Sequence, residues 1–200
     1  MLSLTAFIDP TAIIQAAGYV GVAAIIFTES GLLVGVILPG DSVLFTAGFL
    51  ASQGYLNIVP LLLLSFTMAA LGDNVGYWLG KRFGPSVFSR EKSFLLNPEN
   101  ISRAERFYEE HGAKTIVLAR FMPVIRTLAP VLAGVGSMKW RTFMTYNLMG
   151  ATIWGLGVTF AGYILGAKVP GIDRYIIPIV LVIVFSSVIP PLWQYARRRR

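Results

Sequence analysis

The chain has 200 residues, of which 55% are hydrophobic and only 14% charged. A soluble domain carries roughly 25% charged residues, so this balance excludes an ordinary soluble protein and reads as a single integral membrane domain over residues 1–200. Cysteine is absent, which excludes disulfide and thiol chemistry and leaves the redox compartment open.

Residues 1–28 contain no Lys or Arg, so no charged n-region of a cleavable signal is expected. Asp9-Pro10 has the form of an N-cap with proline at the first helical position, opening a short helix that leads to Gly18. An apolar run follows and reaches residues 28–54, TESGLLVGVILPGDSVLFTAGFLASQG. Pro39-Gly40 breaks any helix carried that far. Asp41 and Ser42 are then good caps for a new helix over 43–52. Each arm has about ten residues, half of the ~20 needed to cross a bilayer. The stretch therefore reads as a re-entrant hairpin with an acid at its tip.

Residues 58–80 form a full span. The segment 81–114 is polar and holds seven Lys or Arg. Within it, Asn97-Pro98 starts a helix that Gly112 can end. Ile101, Ala104, Phe107 and Tyr108 share one face of that helix, so it is expected on the membrane surface. Residues 115–137 are apolar again but contain Arg120, Pro123, Arg126 and Pro130, which reads as a second re-entrant hairpin. Residues 142–166 and 175–196 are full spans, and the chain ends in four arginines, 197–200. The first basic residue is Lys81, and Lys139 and Arg141 lie before the later spans. Cytoplasmic loops collect Lys and Arg, so these basic regions are assigned to the inside. Charges that flank apolar spans do not point to nucleic acid.

The chain also repeats itself. GYWLG at 76–80 recurs as GYILG at 162–166, and Ala47-Gly48 recurs as Ala133-Gly134 at the same offset. Each repeat, about 19–80 and 115–166, is a broken hairpin followed by one span. The basic linker keeps the chain inside between them, so the second repeat starts on the opposite side and the repeats are inverted. Inverted repeats with broken helices are a transporter signature. The fold class is thus an all-α membrane protein of two inverted repeats plus a C-terminal transmembrane helix.

Five ionisable residues lie in these apolar stretches. Asp41 has a plain reading as a cap. Glu29 has none, because it sits mid-run between Phe27 and Leu32 with no basic neighbour. An ionisable group in a membrane segment costs roughly 2.5–3.5 kcal/mol on insertion scales and usually faces a cavity or a partner. Arg120 and Arg126 are the expected partners. On an unbroken helix they would point to different faces, but a break at Pro123 lets them converge. Two guanidiniums in a water-poor cavity suit a phosphate, since Arg binds it bidentately. The plain alternative is a structural ion pair with Glu29 or Asp41, and a pair that opens is a plausible gate. Gly72, Gly76, Gly80 and Gly84 recur every four residues, a smooth stripe for close helix packing. Asp73 beside it is a pairing partner for an arginine or part of a proton path, with the structural role preferred. His111 is the only histidine, too little for a metal site or a His-dependent mechanism. No Ser/His/Asp set or Gly-rich phosphate loop is present, so neither an enzyme nor a cofactor is expected.

Taken in order, Glu29, LPGDSVLFTAG, GDNVGYWLGKRFG, ARFMPVIRT and AGVGSM resemble the DedA family, also called the VTT or SNARE-associated membrane family. The likeness runs from about residue 27 to 166. Glu29, Asp41, Asp73, Arg120 and Arg126 all fall on the family's motif positions. The resemblance implies paired re-entrant hairpins and transport of lipid phosphates. In bacteria it implies flipping undecaprenyl phosphate back across the inner membrane, linked to protons. On this reading Arg120 and Arg126 hold the phosphate, and Glu29 and Asp41 bind protons or pair with the arginines when the site is empty. The partners are then a polyprenyl phosphate lipid and protons, and a homo-oligomer is compatible with it. A phospholipid scramblase, a proton-coupled small-solute exporter and a membrane scaffold with structural hairpins remain alternatives.

The terminal arginines place the C-terminus in the cytoplasm. Two re-entrant hairpins plus three spans then put the N-terminus outside, and a crossing within 10–38 would reverse it. Cysteines introduced at Ser3 and Gln194 in this cysteine-free chain test both. Position 194 should label only from the cytoplasmic side, and labelling from outside would refute the topology.

Overall fold

Proline, glycine and asparagine divide the chain into helices. The computed structural model describes residues 10–32, 40–87, 108, 110 and 112–168. Among these the chain is entirely helix and short connection. The helices are α1 (Pro10–Gly31), α2 (Gly40–Ser52), α3 (Ile58–Val87), α4 (Thr115–Ala119), α5 (Pro123–Val135), α6 (Trp140–Ala151) and α7 (Gly157–Lys168). A π-helical turn, Thr152–Leu156, lies between the last two. The expected surface helix over 97–112 and the span over 175–196 lie outside the described residues, apart from Tyr108, Glu110 and the turn at Gly112, as does the expected helix break within 33–39.

The boundaries have local causes. Gly18 interrupts α1 with φ 54 and ψ −140, a conformation that side chains with a Cβ rarely adopt. Gly54, at φ +84, follows α2, and the Tyr55 N–H turns back to the Leu50 carbonyl at 3.0 Å, a helix-ending arrangement. Asn57 caps α3, its Oδ1 accepting the Val59 N–H at 3.0 Å. Gly112, at φ +72, donates its N–H to the Tyr108 carbonyl at 2.9 Å. Met122 is extended, φ −120 and ψ 102, because the ring of Pro123 disfavours helix in the preceding residue. That separates α4 from α5.

Two expected boundaries change. Asp41 lies inside the first turn of α2 rather than ahead of it, where a carboxylate still favours the positive helix end. And α3 does not stop at Gly80 but runs on to Val87, because Lys81 and Arg82 end the apolar stretch without ending a helix; both are good helix formers. Two helical stretches, Ile58–Phe83 and Trp140–Lys168, are long and apolar enough to cross a membrane.

The described residues fall into two compact units that alternate along the chain. The first holds residues 10–26, 40–68 and 152–168, and the second holds 27–32, 69–87, 108, 110 and 112–151. In the first, α2 lies on α7 so closely that a Cβ at Gly48 would overlap the Thr159 carbonyl, and one at Gly162 the Phe45 carbonyl. In the second, α5 lies on α3 in the same way. A Cβ at Gly134 would overlap the Tyr77 carbonyl, and one at Gly80 the Val131 carbonyl. Thus α2 and α5 each pack on the long helix of the other repeat.

These contacts correct the sequence alignment of the repeats. Gly48 and Phe45 correspond to Gly134 and Val131, an offset of 86 (134 − 48, 131 − 45). Gly162 corresponds to Gly80, an offset of 82 (162 − 80). The two GYxLG motifs are thus one helical turn out of structural register. Glycines spaced by four residues allow this, because a shift of one turn brings another glycine to nearly the same face.

Tyr77, Ile116, Ala119, Ala129, Ala133 and Phe143 form the core of the second unit, with the Tyr77 and Phe143 rings stacked at 4.6 Å. Tyr77 donates its hydroxyl to the Met138 carbonyl at 2.6 Å, and Tyr108 to that of Ala129 at 2.8 Å.

Gly80→Ala and Gly134→Ala should each destabilise the purified protein by about 1–3 kcal/mol, since backbone rather than a movable side chain must yield. Gly157→Ala, with nothing within 4 Å of the added carbon, should be neutral or gain up to about 1 kcal/mol from helix propensity. Thermal unfolding in detergent distinguishes them, and a Gly80→Ala protein as stable as the parent would contradict the contact.

Candidate functional site

The second unit holds four of the five ionisable residues singled out above. Arg120 is the residue that ends α4, and Arg126 lies in the first turn of α5, so the break at Pro123 separates the two guanidiniums. Asp73 is on α3 directly after Gly72, and Glu29 is near the end of α1.

Glycines bring the acids into place. A Cβ at Gly31 would stand 2.8 Å from the Gly72 carbonyl oxygen, and one at Gly72 would stand 2.7 Å from Ser30 Cβ. The end of α1 thus touches α3 backbone to backbone, beside both carboxylates. Gly150 makes room on the other side: a Cβ there would lie 2.7 Å from Arg120 Cδ and Nε.

Two buried ion pairs result. Arg126 pairs with Glu29, whose side chains are 9% and 1% exposed. Arg120 pairs with Asp73, 4% and 5% exposed, its Nη2 donating to Oδ2 at 2.5 Å. The same Nη2 donates to Asn147 Oδ1 at 2.7 Å and lies 3.5 Å from the Ala69 carbonyl. Asn147 is itself oriented, since its Nδ2 donates to the Ala70 carbonyl at 3.0 Å and so turns its oxygen toward Arg120. Charges removed from water need such partners, because an uncompensated one costs several kcal/mol. The arrangement can hold two positive charges in an apolar interior, and it offers a planar double donor to any anion that displaces a carboxylate.

Asp41 belongs to the first unit. There its Oδ1 accepts the indole N–H of Trp154 at 2.6 Å. The expectation that Glu29 or Asp41 would pair with the arginines divides accordingly: Glu29 and Asp73 take them, and Asp41 has an indole. Sequence reasoning missed Asn147 and Trp154. Asn147 had a faint signal as an amide within an apolar span, and it is wholly buried. Trp154 had none, since tryptophan is ordinary in a membrane helix.

The family model described as the VTT domain matches residues 38–164. A membrane protein of Mycobacterium leprae is 40% identical over 186 residues, 93% of this chain and 83% of the relative. Protein DedA of Escherichia coli K12 is 40% identical over 178 residues, 88% of this chain and 81% of that protein. Inner membrane protein YqjA of the same strain is 32% identical over 168 residues, 80% and 76% of the two chains. No solved structure matches.

Asp73→Asn leaves the Arg120 charge buried without its counter-charge and should cost about 3–5 kcal/mol. The double variant Asp73→Asn/Arg120→Gln should lose clearly less than the sum of the single losses. Chemical unfolding of the four proteins in detergent measures the coupling, and strict additivity would show that the pair is not formed.

Proposed function

Because the chain belongs to the VTT-domain, or DedA, family of membrane proteins, we propose that it transports lipid phosphates, recycling undecaprenyl phosphate across the bacterial inner membrane in a proton-linked cycle. The observation that carries this reading is the pair of buried guanidiniums, each held by its own carboxylate. A phosphomonoester carries about −1.5 to −2 charges near neutral pH, which two guanidiniums neutralise. Bidentate geometry favours Arg over Lys for that task.

In this reading residues 28–54 and 115–137 form re-entrant hairpins that enter from opposite faces, and the C-terminus is cytoplasmic. With the site empty, Arg126 rests on Glu29. An arriving phosphate takes the guanidinium, and the displaced carboxylate, now without a counter-charge in an apolar interior, binds a proton. Asp41 is the second proton-binding acid, and Asp73 supports Arg120. Release of the phosphate lets the ion pairs re-form as the protons leave. A more structural role for Arg120 has its own support: one of its nitrogens already donates to Asp73 and Asn147. Arg126 would then be the principal phosphate ligand.

Purified protein in vesicles containing undecaprenyl phosphate tests the reading. Glu29→Gln, Asp41→Asn, Arg120→Lys and Arg126→Lys should all reach the membrane and fold, yet transport at least about tenfold more slowly, the effect of losing one charge-assisted hydrogen bond. Full transport by either amide variant removes that acid from the proton path. Full transport by both Lys variants ends the bidentate phosphate reading and favours a scaffold or a structural role. Movement of bulk phospholipid at the same rate favours a scramblase.

A further inference from the structure

The repeated glycine contacts allow the two units to be compared position by position, and one position departs from the repeat. With the long-helix offset of 82, Trp154 corresponds to Gly72 (154 − 82). Gly72 has no side chain, and a Cβ there would meet Ser30 Cβ at 2.7 Å and the Phe27 carbonyl at 2.8 Å. In the first unit the matching position carries the largest side chain available, 3% exposed. It sits within the π-helical turn Thr152–Leu156. Such turns interrupt α-helices rarely and frequently at functional sites. The partner position departs as well. With the arm offset of 86, Asp41 corresponds to Thr127 (127 − 86), so a hydroxyl on one arm is a carboxylate on the other. Both departures meet in one hydrogen bond, from Trp154 Nε1 to Asp41 Oδ1 at 2.6 Å.

We infer that Trp154 is a positioning residue for Asp41, presented by the π turn so that its indole N–H holds the acid through Oδ1. This rests on the reading of Asp41 as a proton-binding acid. An indole N–H can only donate. The oxygen it engages must therefore remain an acceptor in both states of the acid, as a carboxylate oxygen or as the carbonyl oxygen of the protonated acid. A proton added to Asp41 therefore goes to Oδ2, and the same oxygen gives it up. The indole thereby holds the carboxyl in one rotamer throughout the cycle.

Trp154→Phe keeps an aromatic ring in the pocket and removes only the donor. In vesicles of phosphatidylethanolamine and phosphatidylglycerol carrying undecaprenyl phosphate, its turnover should fall about tenfold or more. The lipid concentration giving half-maximal rate should not change, because the phosphate is held by the arginines. A merely structural role would instead lower thermal stability and change both quantities, and unchanged turnover in a folded Trp154→Phe protein would overturn the inference. A second arm does not depend on transport. In a variant whose other tryptophans, Trp78, Trp140 and Trp193, are Phe, the indole N–H band in the ultraviolet resonance Raman spectrum should report a strong hydrogen bond. Asp41→Asn should keep that band, since the amide oxygen also accepts, and Asp41→Ala should abolish it. A band indifferent to Asp41→Ala refutes the pairing. If the parent protein moves no lipid phosphate while the band behaves as expected, the transport reading fails and the hold of Trp154 on Asp41 stands.

Discussion

A guanidinium placed in an apolar interior sets the terms for everything around it. Arginine does not lose its proton in a protein, so Arg120 and Arg126 cannot become neutral there; they need negative charge and oriented acceptors. The chain supplies these from separate elements: Glu29 from the end of α1, Asp73 from α3 and Asn147 from α6. Each acid reaches its arginine only because glycine removes the side chain that would keep the helices apart. Gly31 meets Gly72, and Gly150 leaves space for the stem of Arg120. The close backbone packing and the ion pairs are therefore one design. Without the glycines the acids would stand too far off, and without the acids the arginines could not be buried.

The same packing explains how the short helices are held. Helices of 13 residues such as α2 and α5 are marginal in isolation. Each is fixed by lying against a long helix at van der Waals distance, with carbonyl groups over glycine Cα atoms. Between apolar surroundings and apolar helices there is little hydrophobic gain from association, so close packing has to supply the attraction. Each of these short helices also packs on the long helix of the other repeat rather than its own. This ties the two halves of the sequence together within each unit, so neither repeat completes its packing alone.

Much of this was legible in the sequence where a residue's effect is local. Pro123 separates two helices wherever it stands, because its ring acts on the residue before it. A stripe of glycines every four residues announces close packing, and Gly18, Gly54 and Gly112 announce turns. An acid and two arginines within apolar runs announce partners. What lay beyond reach was set by tertiary placement. The sequence left Glu29, Asp41 and Asp73 as alternative partners for the arginines, and only the packing of α1 on α3 decides among them. The one-turn register between the GYxLG motifs was hidden because a glycine repeat of four residues looks the same after a shift of four. Lys81 and Arg82 marked the end of apolar chain, and nothing in them marks the end of a helix. Asn147 and Trp154 were invisible because their roles come from what faces them, not from their own type.

The two units use one packing frame for different chemistry. In the second, the crossing of α3 with α6 brings Asp73 and Asn147 together on Arg120. With the offset of 82, the corresponding residues of the first unit are Gly155 (155 − 82 = 73) and Ser65 (65 + 82 = 147). There the backbone of Ser65 lies 3.2 Å from where a Gly155 Cβ would stand, and Ser65 Oγ lies 3.3 Å from Thr159 Oγ1. A neutral hydroxyl contact closes that crossing without any ionised group. Helix crossings of this geometry therefore do not need an arginine or an acid for stability. Replacing a pair that closes neutrally with one that must be fully charge-balanced carries a desolvation cost and gains no better packing. Departures from local economy of this kind are expected where a protein acts rather than merely folds. The asymmetry thus separates the glycine contacts that build the frame, which recur in both units, from the charged set around Arg120, which does not.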